Sequence, residues 1–211
     1  MTSVTTCLLT CVYRELFPAS RCLFMYRDIV SVAKSIYRLT MVLPSVRLAY
    51  ILGQLSGRMT KMMVDSMGFD GSAFCLRVES DLMCGVILSA VTTTSYLDMR
   101  RRGFAVNALR YEDLVARPVS MCRIILEFCH LPVSLVTLAI KAFDVDSQRN
   151  SVLAKSSIRH FKEPQLTPQT KAKLNELLQN YGMPLIGDSG IIEGTLTVQD
   201  TEKTVWATNG V

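Results

Sequence analysis

An α/β fold with a parallel sheet is what this sequence predicts, on three observations. Two short apolar runs, Cys22–Tyr26 and Phe104–Leu109, have the length and composition of strands buried on both faces of a parallel sheet. Each is followed by a segment whose apolar residues recur with the helical period. Polarity changes abruptly where each run ends, at Arg27-Asp28 and at Arg110-Tyr111-Glu112-Asp113. Ligands of open parallel sheets bind outside the carboxyl ends of the strands, so Arg27 and Tyr111 draw attention first.

The elements follow in chain order. Leu8, Val12 and Leu16 repeat every four residues and predict a short helix stopped at Pro18-Ala19-Ser20. After the first strand, Ile29, Val32, Ala33, Ile36 and Tyr37 predict a helix over Ile29–Leu39, with Arg27 and Asp28 in the connecting loop. Pro44–Leu97 reads as two or three helices broken near Gly68–Ser72. The basic turn Arg100-Arg101-Arg102-Gly103 precedes the second strand. Pro118 then opens a helix to about Cys129 with the stripe Met121, Ile124, Ile125 and Phe128. A further helix is predicted over Ser134–Phe143, and an amphipathic one over Thr167–Tyr181, capped by Thr167 and stopped by Gly182. Beyond Gly187, glycines and threonines alternate with Ile and Val, and both a terminal hairpin and a loose tail fit. The domain expectation is therefore 1–187, with 188–211 as a C-terminal tail or hairpin.

Composition agrees with a packed core. The 211 residues are 49% hydrophobic and 19% charged, which excludes a disordered or collagenous chain. The 23 Lys and Arg exceed the 18 Asp and Glu by five, a mild excess that permits an anionic partner without calling for nucleic acid. Seven scattered cysteines without a C-x-x-C pair, and two histidines, argue against structural zinc. The cysteines read mostly as small buried hydrophobes, which favours a reducing compartment. The first twelve residues lack a basic n-region and a long apolar run, and Cys84–Leu97 is too short to span a bilayer. The chain reads as soluble and cytoplasmic.

Arg27 and Ser35 are the first candidate site residues. An arginine fork and a serine hydroxyl near a helix start suit a phosphate monoester, through bidentate charge-assisted hydrogen bonds. Taken alone, Arg27 and Asp28 read as a surface ion pair, Ser35 as a helix-surface serine and Tyr111 as a rim tyrosine. Arg100–Arg102 alone is a solvated turn, and His130, at a helix end, is structural.

The segment ELFPASRCLFMYRDIVSVAKS resembles the 3'-phosphate-binding segment of sulfotransferases, in which a strand ends in Arg and a Ser follows eight residues on. ALRYEDLVARPVSMCRIILEFCHLP is similar to the same family's strand, YEDL-x-x-x-P and helix, closed by Leu-Pro. A third stretch, DSQRNSVLAKSSI with the helix and GMPL that follow, extends the likeness, so that it runs from about Glu15 to Gly187. The resemblance implies a three-layer parallel sheet with flanking helices, the P-loop nucleotide kinase-like fold. It implies 3'-phosphoadenosine 5'-phosphosulfate as co-substrate and sulfuryl transfer to a hydroxyl or amine of a small-molecule or carbohydrate acceptor. By the same carry-over, Arg27 and Ser35 hold the donor's 3'-phosphate, Tyr111 lies near its adenine, and Glu112 and Asp113 fix the loop. His160, with Lys155 and Arg159, falls where some members contact the donor.

Departures from the family pattern are equally specific. Residues 1–14 contain no Gly/Ser/Thr-rich loop with a Lys or Arg to wrap a 5'-phosphosulfate, and no candidate base. The expectation is an N-terminally incomplete fold, either the later part of a longer protein or a degenerate homologue, inactive as it stands. The competing reading is a non-catalytic sulfotransferase-like protein that binds a nucleotide or a partner. An N-terminal Golgi anchor in a longer chain would change the compartment.

Overall fold

A computed structural model describes residues 21–67, 69, 71–144 and 163–198. The predicted helix over Leu8–Leu16, residues 1–14, the Lys155-Arg159-His160 segment and the tail from 199 lie outside them.

The order of elements is β1 (Cys22–Tyr26), α1 (Ile29–Val42), α2 (Pro44–Leu55), α3 (Gly57–Ser66), α4 (Met83–Arg101), β2 (Val106–Arg110), α5 (Tyr111–Ala116), α6 (Pro118–Phe128), α7 (Val136–Lys141) and α8 (Pro168–Asn180). Short 3-10 turns cover Ser72–Phe74, Val133–Leu135 and Ala142–Asp144. Their ends follow from side chains. Asp28 caps α1 by accepting the Ser31 N–H at 2.8 Å. Pro44 disfavours helical backbone at Leu43, so α1 stops and α2 begins with proline in its first turn. Ser56 ends α2 and caps α3, accepting from the Arg58 N–H at 3.2 Å. Thr167 caps α8 through the Thr170 N–H at 3.1 Å, as its sequence predicts.

The chain forms two compact units. The described part of the first is 28–67, 69, 71–104 and 163–190. Its core joins Ala33 of α1, Val64 of α3, Val86, Ile87, Ala90 and Val91 of α4, and Leu174, Leu177 and Leu178 of α8. α1 crosses α4 at Gly85, where an added Cβ would stand 2.4 Å from the Ala33 Cα. Only a glycine permits that approach. Phe74 and Tyr181 stack with centroids 4.5 Å apart, and the extended stretch after Phe74 is tied to α2 by the Val78 N–H on the Gly53 carbonyl at 3.0 Å. Burial raises the pKa of the Cys84 thiol in this unit.

The described part of the second unit is 21–27, 105–144 and 191–198. β1 and β2 pair in parallel from Cys22↔Val106 to Tyr26↔Arg110. On the other edge of β2, Ala108 bridges Thr195, donating to Gly194 at 2.9 Å and accepting from Leu196 at 2.8 Å. The Tyr26 hydroxyl meets Thr195 Oγ1 at 2.9 Å, so the 191–198 segment is held to both strands. Leu109, Leu114, Met121, Cys122, Ile124, Leu126 and Val136 form the core.

These observations correct the predicted fold class. The molecule is mostly helical with a two-stranded parallel sheet, and the three-layer P-loop kinase-like sheet is absent among the described residues. Only two runs in the sequence had strand character; the remaining strands and layers came from the family likeness, not from residues of this chain. β1 is consequently not buried on both faces: Phe24 is buried, whereas Met25 is 54% exposed. The described cysteines, all free thiols, also vary: Cys122 is buried, Cys75 exposed, and the rest are intermediate. No single helix among the described residues is long and apolar enough to cross a membrane. α1 and α2 reach that length and composition only as a pair bent by 112°.

Candidate functional site

Parallel pairing in register gives the strand ends a common neighbourhood. Because Tyr26 lies opposite Arg110, the next residue of each strand, Arg27 and Tyr111, leaves the sheet at the same end. The Arg27 guanidinium carbon sits 4.9 Å from the Tyr111 ring centroid, a cation–π contact between two exposed side chains. Two of the predicted site residues are thus together. Ser35 lies about two turns into α1, half-buried, in the first unit.

Glu112 completes the cluster. Its carboxylate faces Arg27 Nε at 3.7 Å with one oxygen and Arg110 Nε at 3.5 Å with the other. Both separations exceed the 2.7–2.9 Å of a charge-assisted hydrogen bond, so these are loose ion pairs. Two guanidinium groups against one carboxylate give this trio a net positive charge, which suits an anion. Asp113 instead binds Arg117 one turn later at 3.1 Å. Arg110 is the site residue that the sequence reading missed. Its signal was the strand register, which a single run of residues does not display.

Asp28 does not leave α1's first turn open, since its carboxylate takes the Ser31 N–H. His130 ends α6 in the left-handed region, φ 55°. Its N–H bonds the Glu127 carbonyl at 3.0 Å and Leu131's the Leu126 carbonyl at 2.8 Å, so it serves helix termination.

The first unit holds a separate cleft of about 470 Å³ between the 76–83 segment and α8, lined by Arg77, Glu79, Met83, Lys173, Glu176 and Tyr181 among others. Lys173 Nζ donates to Glu79 Oε2 at 2.8 Å, which lowers the glutamate's pKa and raises the lysine's. Burial raises that of Tyr181. Two cations and two anions make the cleft electrically balanced. In α2, the Tyr50 hydroxyl donates to Asp81 at 2.5 Å; burial first, then that carboxylate, pushes its pKa far upward, so Tyr50 stays a neutral donor. No group of three or more metal-ligating side chains occurs among the described residues.

Comparison of the chain with protein-family models, with curated proteins and with solved structures finds no match.

Proposed function

We propose that this chain is a sulfotransferase-type protein that binds 3'-phosphoadenosine 5'-phosphosulfate, with Arg27 on the 3'-phosphate and Tyr111 beside the adenine. The reaction it serves is sulfuryl transfer: the donor's phosphosulfate S–O bond breaks, an acceptor hydroxyl or amine bonds the sulfur, and the acceptor's proton passes to a base. One observation supports the reading above all. The two segments that resemble the family's donor-binding segments pair in parallel, and the residues leaving their ends are in contact. Sequence order alone does not require this.

The local chemistry supports it as well. A guanidinium lying on a ring keeps its in-plane N–H groups for a planar or tetrahedral oxyanion. The Glu112 contact is long enough for a phosphate oxygen to replace it without breaking a short hydrogen bond. Arg110 supplies a second positive charge beside it.

Calorimetric titration of 3'-phosphoadenosine 5'-phosphate into the full chain tests the reading, with adenosine 5'-monophosphate as the ligand lacking the 3'-phosphate. Arg27→Ala should lose about 2 kcal/mol, roughly thirtyfold in affinity, and should abolish the preference for the 3'-phosphate. A folded wild-type chain that binds neither nucleotide would falsify the donor assignment. Binding without sulfuryl transfer to any phenol, amine or carbohydrate acceptor offered would assign the non-catalytic, nucleotide-binding reading.

A further inference from the structure

Among the described residues, one short helix presents a row of exposed apolar side chains. In α2, Leu48, Ile51 and Leu55 are 58%, 42% and 67% exposed, and their spacing of three and four residues places them on one face. Exposed apolar side chains scattered singly are ordinary, but an aligned row marks an interaction surface. Exposed methionines stand before and after it, Met41 at the end of α1 and Met62 in α3.

Charge narrows the choice of partner. From Ile29 to Val64 the sequence contains Lys34, Arg38, Arg47, Arg58 and Lys61 and neither an aspartate nor a glutamate. Lys34 and Arg38 are paired with Glu163, and Lys61 with Asp65. Arg47 and Arg58, both exposed, have no carboxylate partner among the described residues. Arg47 borders the apolar row, one turn before Ile51, and Arg58 follows Leu55 by three residues. The surface therefore asks for something apolar and anionic at once. A second copy of the chain fits poorly, because a self-paired α2 face would bring like charges together with no carboxylate from 29–64 to receive them.

α1 and α2 together have the apolar composition of a membrane-crossing segment, but they are bent by 112° at Leu43-Pro44, and α2 by itself is not long enough to cross. A helix that is apolar on one face, basic at its border and too short to cross suits the plane of the lipid headgroups. We propose that the α2 face is a peripheral membrane-docking surface, with Leu48, Ile51 and Leu55 entering the acyl boundary of an anionic bilayer and Arg47 and Arg58 among its headgroups. This inference is independent of the nucleotide reading. Three aliphatic side chains and two cations give weak, reversible attachment, sensitive to salt.

Sedimentation of the full chain with phosphatidylserine-containing vesicles, and with phosphatidylcholine vesicles alone, tests it. Expected is partition onto the anionic vesicles only, weakened by added salt. Leu48→Ser with Leu55→Ser should reduce it at least about tenfold, and Arg47→Glu with Arg58→Glu comparably. All four positions are exposed, so circular dichroism should be unchanged. The proposal is overturned if the folded wild type stays in the supernatant with both vesicles, or if the serine variant partitions as well as wild type. It is equally overturned if the serine variant abolishes a concentration-dependent dimer in sedimentation velocity, or capture of an acidic peptide, while vesicle binding is unaltered.

Discussion

The two units of this chain are stabilised differently. In the first, core residues come from distant parts of the sequence: Ala33 and Leu178 share one cluster, and α1 and α4 meet where Gly85 has no side chain. In the second, the core and the residues packed on it run nearly continuously in sequence from Leu109 to Ile140, joined by Leu196 and Val198. The first has its shape set by close approach of helices. The second is a short parallel ladder with small helices beside it, and its strand ends carry Arg27, Arg110, Tyr111 and Glu112 outside that core. The proposed anion site therefore falls in the unit with the smaller core.

The largest effect should come from that smaller core. Met121, fully buried on α6, has few neighbours to redistribute into the space it would leave. Met121→Ala should destabilise by about 3 kcal/mol, read from urea unfolding followed by circular dichroism. Loss below about 1 kcal/mol would mean that the second unit's core is looser than its burial indicates. Gly85→Ala probes the first unit from the opposite direction, by adding a methyl group. Its nearest neighbour would be backbone, which cannot rotate away, so α1 and α4 must separate. About 2 kcal/mol of destabilisation is expected, and an unchanged unfolding midpoint would refute the close crossing.

Legibility in the sequence also differs between the units. Capping and helix termination are local, so Thr167, Gly182, Pro44 and Pro118 foretell their helices closely. The strands were visible as apolar runs, although β2 begins at Val106 and not at Phe104. What sits on either side of a strand is not local. The same five residues serve an interior or a two-stranded sheet, and an exposed Met25 is as apolar as a buried one. For the site, the polar strand ends single out Arg27 and Tyr111 and the family likeness gives them roles, whereas their contact depends on parallel pairing across about eighty residues of intervening chain. Arg110 and the second role of Glu112 needed the register itself.

A smaller effect compares the ends of α6 and α8, which finish with the same pair of hydrogen bonds. In α8 the left-handed residue is Gly182, φ 63°, followed by the Met183 N–H on the Leu178 carbonyl. In α6 it is His130, φ 55°, whose Cβ crowds the backbone there. His130→Gly should therefore stabilise by about 0.5–1 kcal/mol, the relief of that crowding less the added freedom of the unfolded chain. A destabilised variant would show that the imidazole contributes more than its backbone conformation costs.

The smallest effect belongs to the Glu79–Lys173 pair, and its sign follows from linkage. The hydrogen bond from Lys173 holds the Glu79 carboxyl below its ordinary 4.5, so its contribution is complete above that value and disappears as pH falls through the folded pKa. Lys173 is held above its ordinary 10.5, so its share is complete below that value and is lost as pH rises through the folded pKa. The pair therefore acts between those limits. Both side chains are more than half exposed, and water and salt screen their attraction. Glu79→Gln should lower the Tm slightly at neutral pH, by less than any substitution above, and the difference should shrink with added salt and vanish in acid. A difference that persisted below the glutamate's titration would assign the loss to packing at the cleft rather than to charge, and would make the first unit's dependence on shape extend to its surface.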